Sequence, residues 1–224
     1  MSRNAIKPAA DGSDRRCAEG PTMMPVEKSP SRRSSGHAME TLGSAFFHRS
    51  PVEVARELLG ARLEHAGCSG MIVETEAYSA VDDEACHTFF RAKARRFVDE
   101  HPPGAAYIYL NYGMYWLANV LVRSPAGESG FVLIRALEPE LGVSEMMIRR
   151  KKEKDLCAGP GKLTIAMNID GSHHGGNFLG DPFSLYPRAT IPPIITGPRI
   201  GISKAADKPW RFGIKGSRYL SRRF

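Results

Sequence analysis

The chain has 224 residues, of which 42% are hydrophobic and 8% aromatic, enough for one large domain with a real core rather than a multidomain assembly. A net charge of +7 and a pI near 9.4 point to a polyanion or an acidic membrane surface as partner. No apolar run approaches the roughly 18 residues of a membrane-spanning helix and no signal-peptide core is visible, so no membrane partner is expected.

Residues 1–40, rich in Pro, Ser, Gly and charge and without periodicity, read as a disordered tail. Its Arg and Ser content fits a targeting extension, its acidic residues argue against an organellar one, and Met23, Met24 and Met39 leave a later start equally open. Four cysteines stand at 17, 68, 86 and 157. They form no C-x-x-C pair and have no histidines to complete a tetrahedral set, which excludes a structural zinc site and leaves reduced thiols in an intracellular protein.

Helix grammar begins at "HRSPVEVARELLG". Ser50 is an N-cap, Pro51 takes the first helical position and Glu53 completes a capping box; Val52, Ala55, Leu58 and Leu59 form the apolar stripe, and Gly60 ends it. "ARLEH" and "GMIVETEAY" then flank "AGCSG" as a β-hairpin. Residues 79–104 are polar and read mostly as loop with one helix. "AAYIYLNYGMYWLANVLVR" is strand-like on both sides of an Asn111-Tyr112-Gly113 turn, and "GFVLIRALEP" is another buried strand. Two helices ("EPELGVSEMMIRRKK" and "GPGKLTIAMNI") and two late strands ("PFSLYP" and "WRFGIKG") follow. Strands first, helices inserted and little βαβ alternation predict an α+β fold with a mainly antiparallel sheet.

The strand at 70–80 is chemically odd. Alternation puts Glu74, Glu76 and Tyr78 on one face, opposite Val73, Thr75 and Ala77. Arg135 is the only charge between Phe131 and Leu137, and a buried guanidinium needs an anionic or carbonyl partner. A carboxylate from the first strand can supply it. A Glu held by an Arg in a dry pocket, with a water between them, is a general base for hydrolysis. The plainer alternatives are a solvent-facing Glu on a half-exposed strand and an Arg on the outer face of an edge strand. "YIYLNYGMYW" holds five aromatics in ten residues, with Tyr112 at a turn tip where there is little core to fill. Core packing accounts for most such aromatics, but in a basic chain exposed faces also suit base stacking. Seven Lys or Arg against Asp207 alone between 204 and 224, and the "RRKKEK" run at 149–154, suggest phosphate contacts. "AGPGKLT" lacks the glycine and hydroxyl residue of a phosphate loop. "SHHGG" at 172–176 has no third ligand nearby in sequence and reads as a flexible loop.

"MIVETEAY" (71–78), "YIYLNYGMYWLAN" (107–119), "VLIRALEP" (132–139), "CAGPGKLTIAMNI" (157–169), "GPRIGI" (197–202) and "KPWRFGIKG" (208–216) in this order resemble the alkyladenine (3-methyladenine) DNA glycosylase family. The resemblance covers about residues 42–217. It implies a single α+β glycosylase domain at 41–217 on a curved, mainly antiparallel sheet with surrounding helices, and leaves 218–224 as a basic tail. It implies a monomeric, cofactor-free and metal-free enzyme of base excision repair, located with the DNA inside the cell. Its substrate is double-stranded DNA containing damaged purines, alkylated and in some cases deaminated. By this resemblance Glu76 is the general base and Arg135 helps hold the nucleophilic water. A backbone carbonyl near Ile200 gives a third contact. Tyr78, His87 and Tyr109 sandwich the flipped nucleotide, Asn119 lines the base pocket and Tyr112 fills the gap left in the stack. No lysine stands where a Schiff-base nucleophile is expected, so strand cleavage is not. "TFFRAKARRFVDEHPPGAA" departs from the family's usual segment between His87 and Tyr107, and that bears on lesion preference. The alternative is a non-catalytic nucleic-acid-binding domain. A carbohydrate glycosidase using Glu74 and Glu76 fits the basic charge poorly.

Overall fold

A computed structural model describes residues 40–224. The expectation of disorder at the N-terminus falls on residues outside these. The predicted first helix forms as α1 (Pro51–Glu57). The Ser50 side chain accepts from the Glu53 amide while the Glu53 carboxylate accepts from the Ser50 amide, so the capping box is complete. A β-hairpin follows, β1 (Arg62–His65) and β2 (Cys68–Ser79). The segment read mostly as loop holds two short helices, α2 (His87–Phe90) and α3 (Ala92–Glu100). Ala94, Phe97 and Val98 of α3 are buried, an i, i+3, i+4 spacing that marks one helical face.

Strands β3 (Ala106–Asn111), β4 (Tyr115–Arg123) and β5 (Ser129–Leu141) form a meander, followed by α4 (Val143–Arg150) and α5 (Pro160–Ala166). The chain closes with β6 (Phe183–Tyr186), β7 (Ile194–Gly197) and β8 (Arg211–Ile214). Strand β7 is short and was not anticipated. Every pairing is antiparallel, in the order β3-β4-β5-β2-β1-β6, with β8 joining β2 beyond the end of β1. The long strand β2 serves both neighbours on that edge because it bends, and register irregularities around Gly70 and Glu74 mark where. The α+β expectation holds.

Alternation assigns the two faces their jobs. Thr75, Ala77, Ile108, Ala118, Val120, Val132 and Ile134 face the main core with residues of α1, α4 and α5. Their neighbours Tyr107, Leu121 and Phe131 face the other way, where α3 packs with Phe97 and Val98. Glu74, Glu76, Tyr78, Tyr109, Asn119 and Arg135 share the parity of that second face. Ser172 and His173 of the "SHHGG" stretch lie in a 3-10 turn (Gly171–His173) capped by Asp170 rather than in a free loop, and His174 Nδ1 accepts from the Ile108 amide. No group of metal-ligating residues forms among the described residues.

Candidate active site

Glu76 and Glu74 are both fully buried, side by side on the second face of β2. Arg135 reaches across from β5 and bridges them: Nε donates to Glu74 Oε1 at 2.9 Å, and Nη1 lies 3.1 Å from Glu76 Oε1. The carboxylate partner expected for Arg135 is therefore two carboxylates. Glu76 takes two further donors, the Ile200 amide on Oε1 at 2.8 Å and the Tyr78 hydroxyl on Oε2 at 2.7 Å. An ionised carboxylate offers about four acceptor positions, so one remains, on Oε2. Toward Glu76 the loop at Ile200 presents its N–H, as an acceptor-only group requires; the carbonyl expected near Ile200 is a contact to the water, a separate matter. Burial, and then the Glu76 carboxylate, push the Tyr78 phenol well above its usual range, so the hydroxyl stays a donor.

Above this floor opens a cleft of about 760 Å³, lined by Tyr78, His87, Tyr109, Asn119, Arg135 and Ile200 among others. Glu76 is not part of its surface; it lies just beneath. His87 and Tyr109 rings meet at 4.4 Å, and His87 Nδ1 is 3.0 Å from the Tyr107 hydroxyl. Burial, helped by the Arg91 charge, lowers the His87 pKa to about 4, so the imidazole is neutral at physiological pH. Asn119 Nδ2 donates to the Tyr107 carbonyl at 3.1 Å, which leaves its side-chain oxygen toward the cleft. Tyr112 stands at the rim, 82% exposed. It and Gly113 are the central residues of the β3–β4 turn, at φ 50 and 68, closed by the Met114 amide on the Asn111 carbonyl. Two positive φ values are the signature of the tight hairpin turn that matches strand twist. All the residues singled out from the sequence thus converge on one cleft and its floor.

Four residues that sequence reasoning missed complete the site. Arg199, next to Ile200, is bidentate to Asp83 at 2.6 and 2.7 Å, and both side chains are fully buried. Its guanidinium also donates to the Ala77 and Ala205 carbonyls and lies 4.7 Å from the Tyr78 ring centre. Arg211 donates to Glu74 Oε1 at 2.8 Å, and Ser221 donates to Glu74 through both its amide and its hydroxyl. Burial alone would raise the Glu74 pKa, but Arg135, the Ser221 amide and Arg211 together hold it below the usual carboxylate value. By sequence Arg211 falls among the basic residues of 204–224 that suggest phosphate contacts. It is 3% exposed, and so belongs to the interior.

Residues 45–218 match the methylpurine-DNA glycosylase family. The chain belongs to that family. Relatives at comparable length agree, each provisionally named a 3-methyladenine DNA glycosylase. One from Rhodopseudomonas palustris strain HaA2 is 49% identical over 79% of this chain and 88% of its own. One from Nitrosospira multiformis is 48% identical over 80% of this chain and 92% of its own. One from Rhizobium meliloti strain 1021 is 44% identical over 80% of this chain and 95% of its own. The protein is accordingly a DNA glycosylase, a hydrolase of N-glycosyl bonds acting in DNA repair. That sets aside the non-catalytic alternative. Among the described residues, no helix of this glycosylase is long and apolar enough to cross a membrane.

Proposed function

We propose that the glycosylase removes alkylated purines, and deaminated purines as a second class, from duplex DNA by swinging the damaged nucleotide into the cleft and displacing its base with a water activated by Glu76. One observation carries this reading: a fully buried glutamate, paired to Arg135, directly beneath an aromatic cleft. The relatives' names supply the substrate class, since each is named for 3-methyladenine. A base inside the stack cannot be reached by a protein side chain, so it must leave the helix, and the vacancy must be filled. Tyr112, flat, stiff and held out on its turn, is the residue suited to fill it.

In the cleft, Tyr78, His87 and Tyr109 contact the extruded nucleotide, and Asn119 faces the base edge. Aromatic faces favour a cationic alkylpurine, and the neutral His87 adds no opposing charge. The water gives its proton to Glu76 as its oxygen bonds the sugar carbon. The C1′–N bond breaks with its electron pair going to the purine, which neutralises an alkylated base and makes it a good leaving group. Tyr78 Oη takes one position on Glu76 Oε2, and the water takes the position that remains on that oxygen. Arg135 holds the carboxylate in place and balances its charge. The enzyme acts as a monomer on DNA within the cell and needs neither metal nor cofactor.

Glu76→Gln tests this. Release of free methylpurine from DNA alkylated with dimethyl sulfate should fall by 10²-fold or more, about the lower bound of what a general base contributes. Affinity for the alkylated duplex should change little. Base release at the wild-type rate by the variant would sink the reading.

A further inference from the structure

We propose that Ser221 is a positioning residue for the hydrolytic step: it closes the buried network of Glu74 and Arg135 and thereby fixes the Arg135 guanidinium against Glu76. This rests on the reading of Glu76 as the general base. Residues 218–224 read from the sequence as a basic tail beyond the domain, and the family match ends at 218. The segment instead folds back over β2 and β8: it is itself half-exposed or exposed, but its polar groups reach the buried Glu74 and Arg211. The Ser221 amide donates to Glu74 Oε2 at 2.5 Å and its hydroxyl to Glu74 Oε1 at 2.8 Å. The Arg222 carbonyl accepts from Arg211 Nη2 at 2.6 Å. The Phe224 ring lies under the Arg211 guanidinium at 3.9 Å. Gly213 and Gly197 make room for that ring: a Cβ at either would come within 2.7 and 3.0 Å of it. The seat is built for this segment.

The link to the reaction runs through Arg135. Its three nitrogens engage three residues: Nε takes Glu74, Nη1 takes Glu76 and Nη2 takes the Ser221 hydroxyl at 3.3 Å. A planar fork held at three corners can neither rotate nor slide. Without Ser221, Glu74 loses two of its donors and must draw more on Arg135. The guanidinium can then turn to grip Glu74 with two nitrogens, and Nη1 leaves Glu76. Ser221 is not among the residues that line the cleft, so it acts through Glu74 and this arginine.

Three variants of the full chain decide the matter: Ser221→Ala, Ser221→Thr and a chain ending at Leu220, each assayed beside Glu76→Gln on dimethyl-sulfate-treated DNA. Ser221→Ala should lower kcat about tenfold, the rate equivalent of a hydrogen bond to a charged group, with KM unchanged. The chain ending at Leu220 should lose more. The acid limb of the pH–rate profile should move to higher pH, because a Glu74 with fewer donors loses its charge sooner as pH falls. Ser221→Thr, which keeps both donors, should restore rate and profile. Wild-type kcat and profile in Ser221→Ala, or a loss that threonine does not rescue and that follows melting temperature alone, would overturn the proposal. Should the truncated chain not fold, the alanine and threonine pair still decides. An inactive Glu76→Gln beside a fully active Ser221→Ala would retire the serine's role alone; an active Glu76→Gln would retire both readings.

Discussion

Replacing Asp83 by alanine would strand the Arg199 guanidinium in the protein interior with only the Ala77 and Ala205 carbonyls for company. Removing one partner of a buried pair typically costs about 3–5 kcal/mol, and urea denaturation of Asp83→Ala should show a loss of that size. Activity should fall as well at temperatures where the variant is still folded, since Arg199 anchors the turn whose next amide, Ile200, meets Glu76. That Arg135 pairs with a carboxylate of the first strand could be read from the sequence, because a lone cation in an apolar run calls for an anion; the choice of Glu76 over Glu74 as the base came from the family resemblance alone. Arg199 carries the same signal between Pro198 and Ile200, yet its partner sits in an acidic loop 116 residues away. Arg211 and Ser221 lie 137 and 147 residues from Glu74. No periodicity or spacing spans such distances; only the folded sheet reveals them.

Among elements, the β3–β4 hairpin carries the most exposed apolar surface: Leu110, Tyr112, Met114 and Tyr115 all protrude from it. A tyrosine in the left-handed region costs about 1–2 kcal/mol, and nothing in the fold's own packing repays that for a side chain so exposed. On the proposed mechanism the return comes from DNA. Tyr112→Ser should weaken binding to an alkylated duplex about tenfold or more, on the scale of one lost base–aromatic stack, and leave affinity for undamaged duplex nearly unchanged. Fluorescence anisotropy with the two duplexes gives the comparison; equal affinities of variant and wild type for the damaged one would remove the wedge. The turn itself was legible from Asn-Tyr-Gly, and α1 from its capping box, because local chemistry dictates both. Of α2 and α3 the sequence showed one helix without bounds, because polar residues dominate a segment whose helicity depends on Phe97 and Val98 finding the aromatic face of the sheet.

For the whole molecule, charge sets the response to pH and salt. His87 has a folded pKa of about 4 against an ordinary 6.5. The unfolded chain therefore binds the extra proton first, and stability should decline as pH falls from 6.5 toward 4. Glu74, held below its usual value, adds a further loss below about 4.5 as the unfolded carboxylate takes up its proton before the folded one. Thermal melts across this range should show both, and His87→Gln should flatten the upper part. DNA binding should weaken steeply with salt, and Lys204→Ala, altering a lysine at the cleft rim, should reduce the log–log slope by about 1 if it meets a phosphate. Beneath the cleft the signs cancel. Glu74 and Glu76 face Arg135 and Arg211, two charges against two, so the floor exerts almost no net field on whatever enters. A positively charged purine gains no Coulombic welcome there over a normal one. On the proposed mechanism, preference at entry then rests on the aromatic faces of Tyr78, His87 and Tyr109 and not on the floor. The last selection falls to the bond itself: a normal purine that visits returns to the helix intact, while one with a weakened glycosidic bond does not.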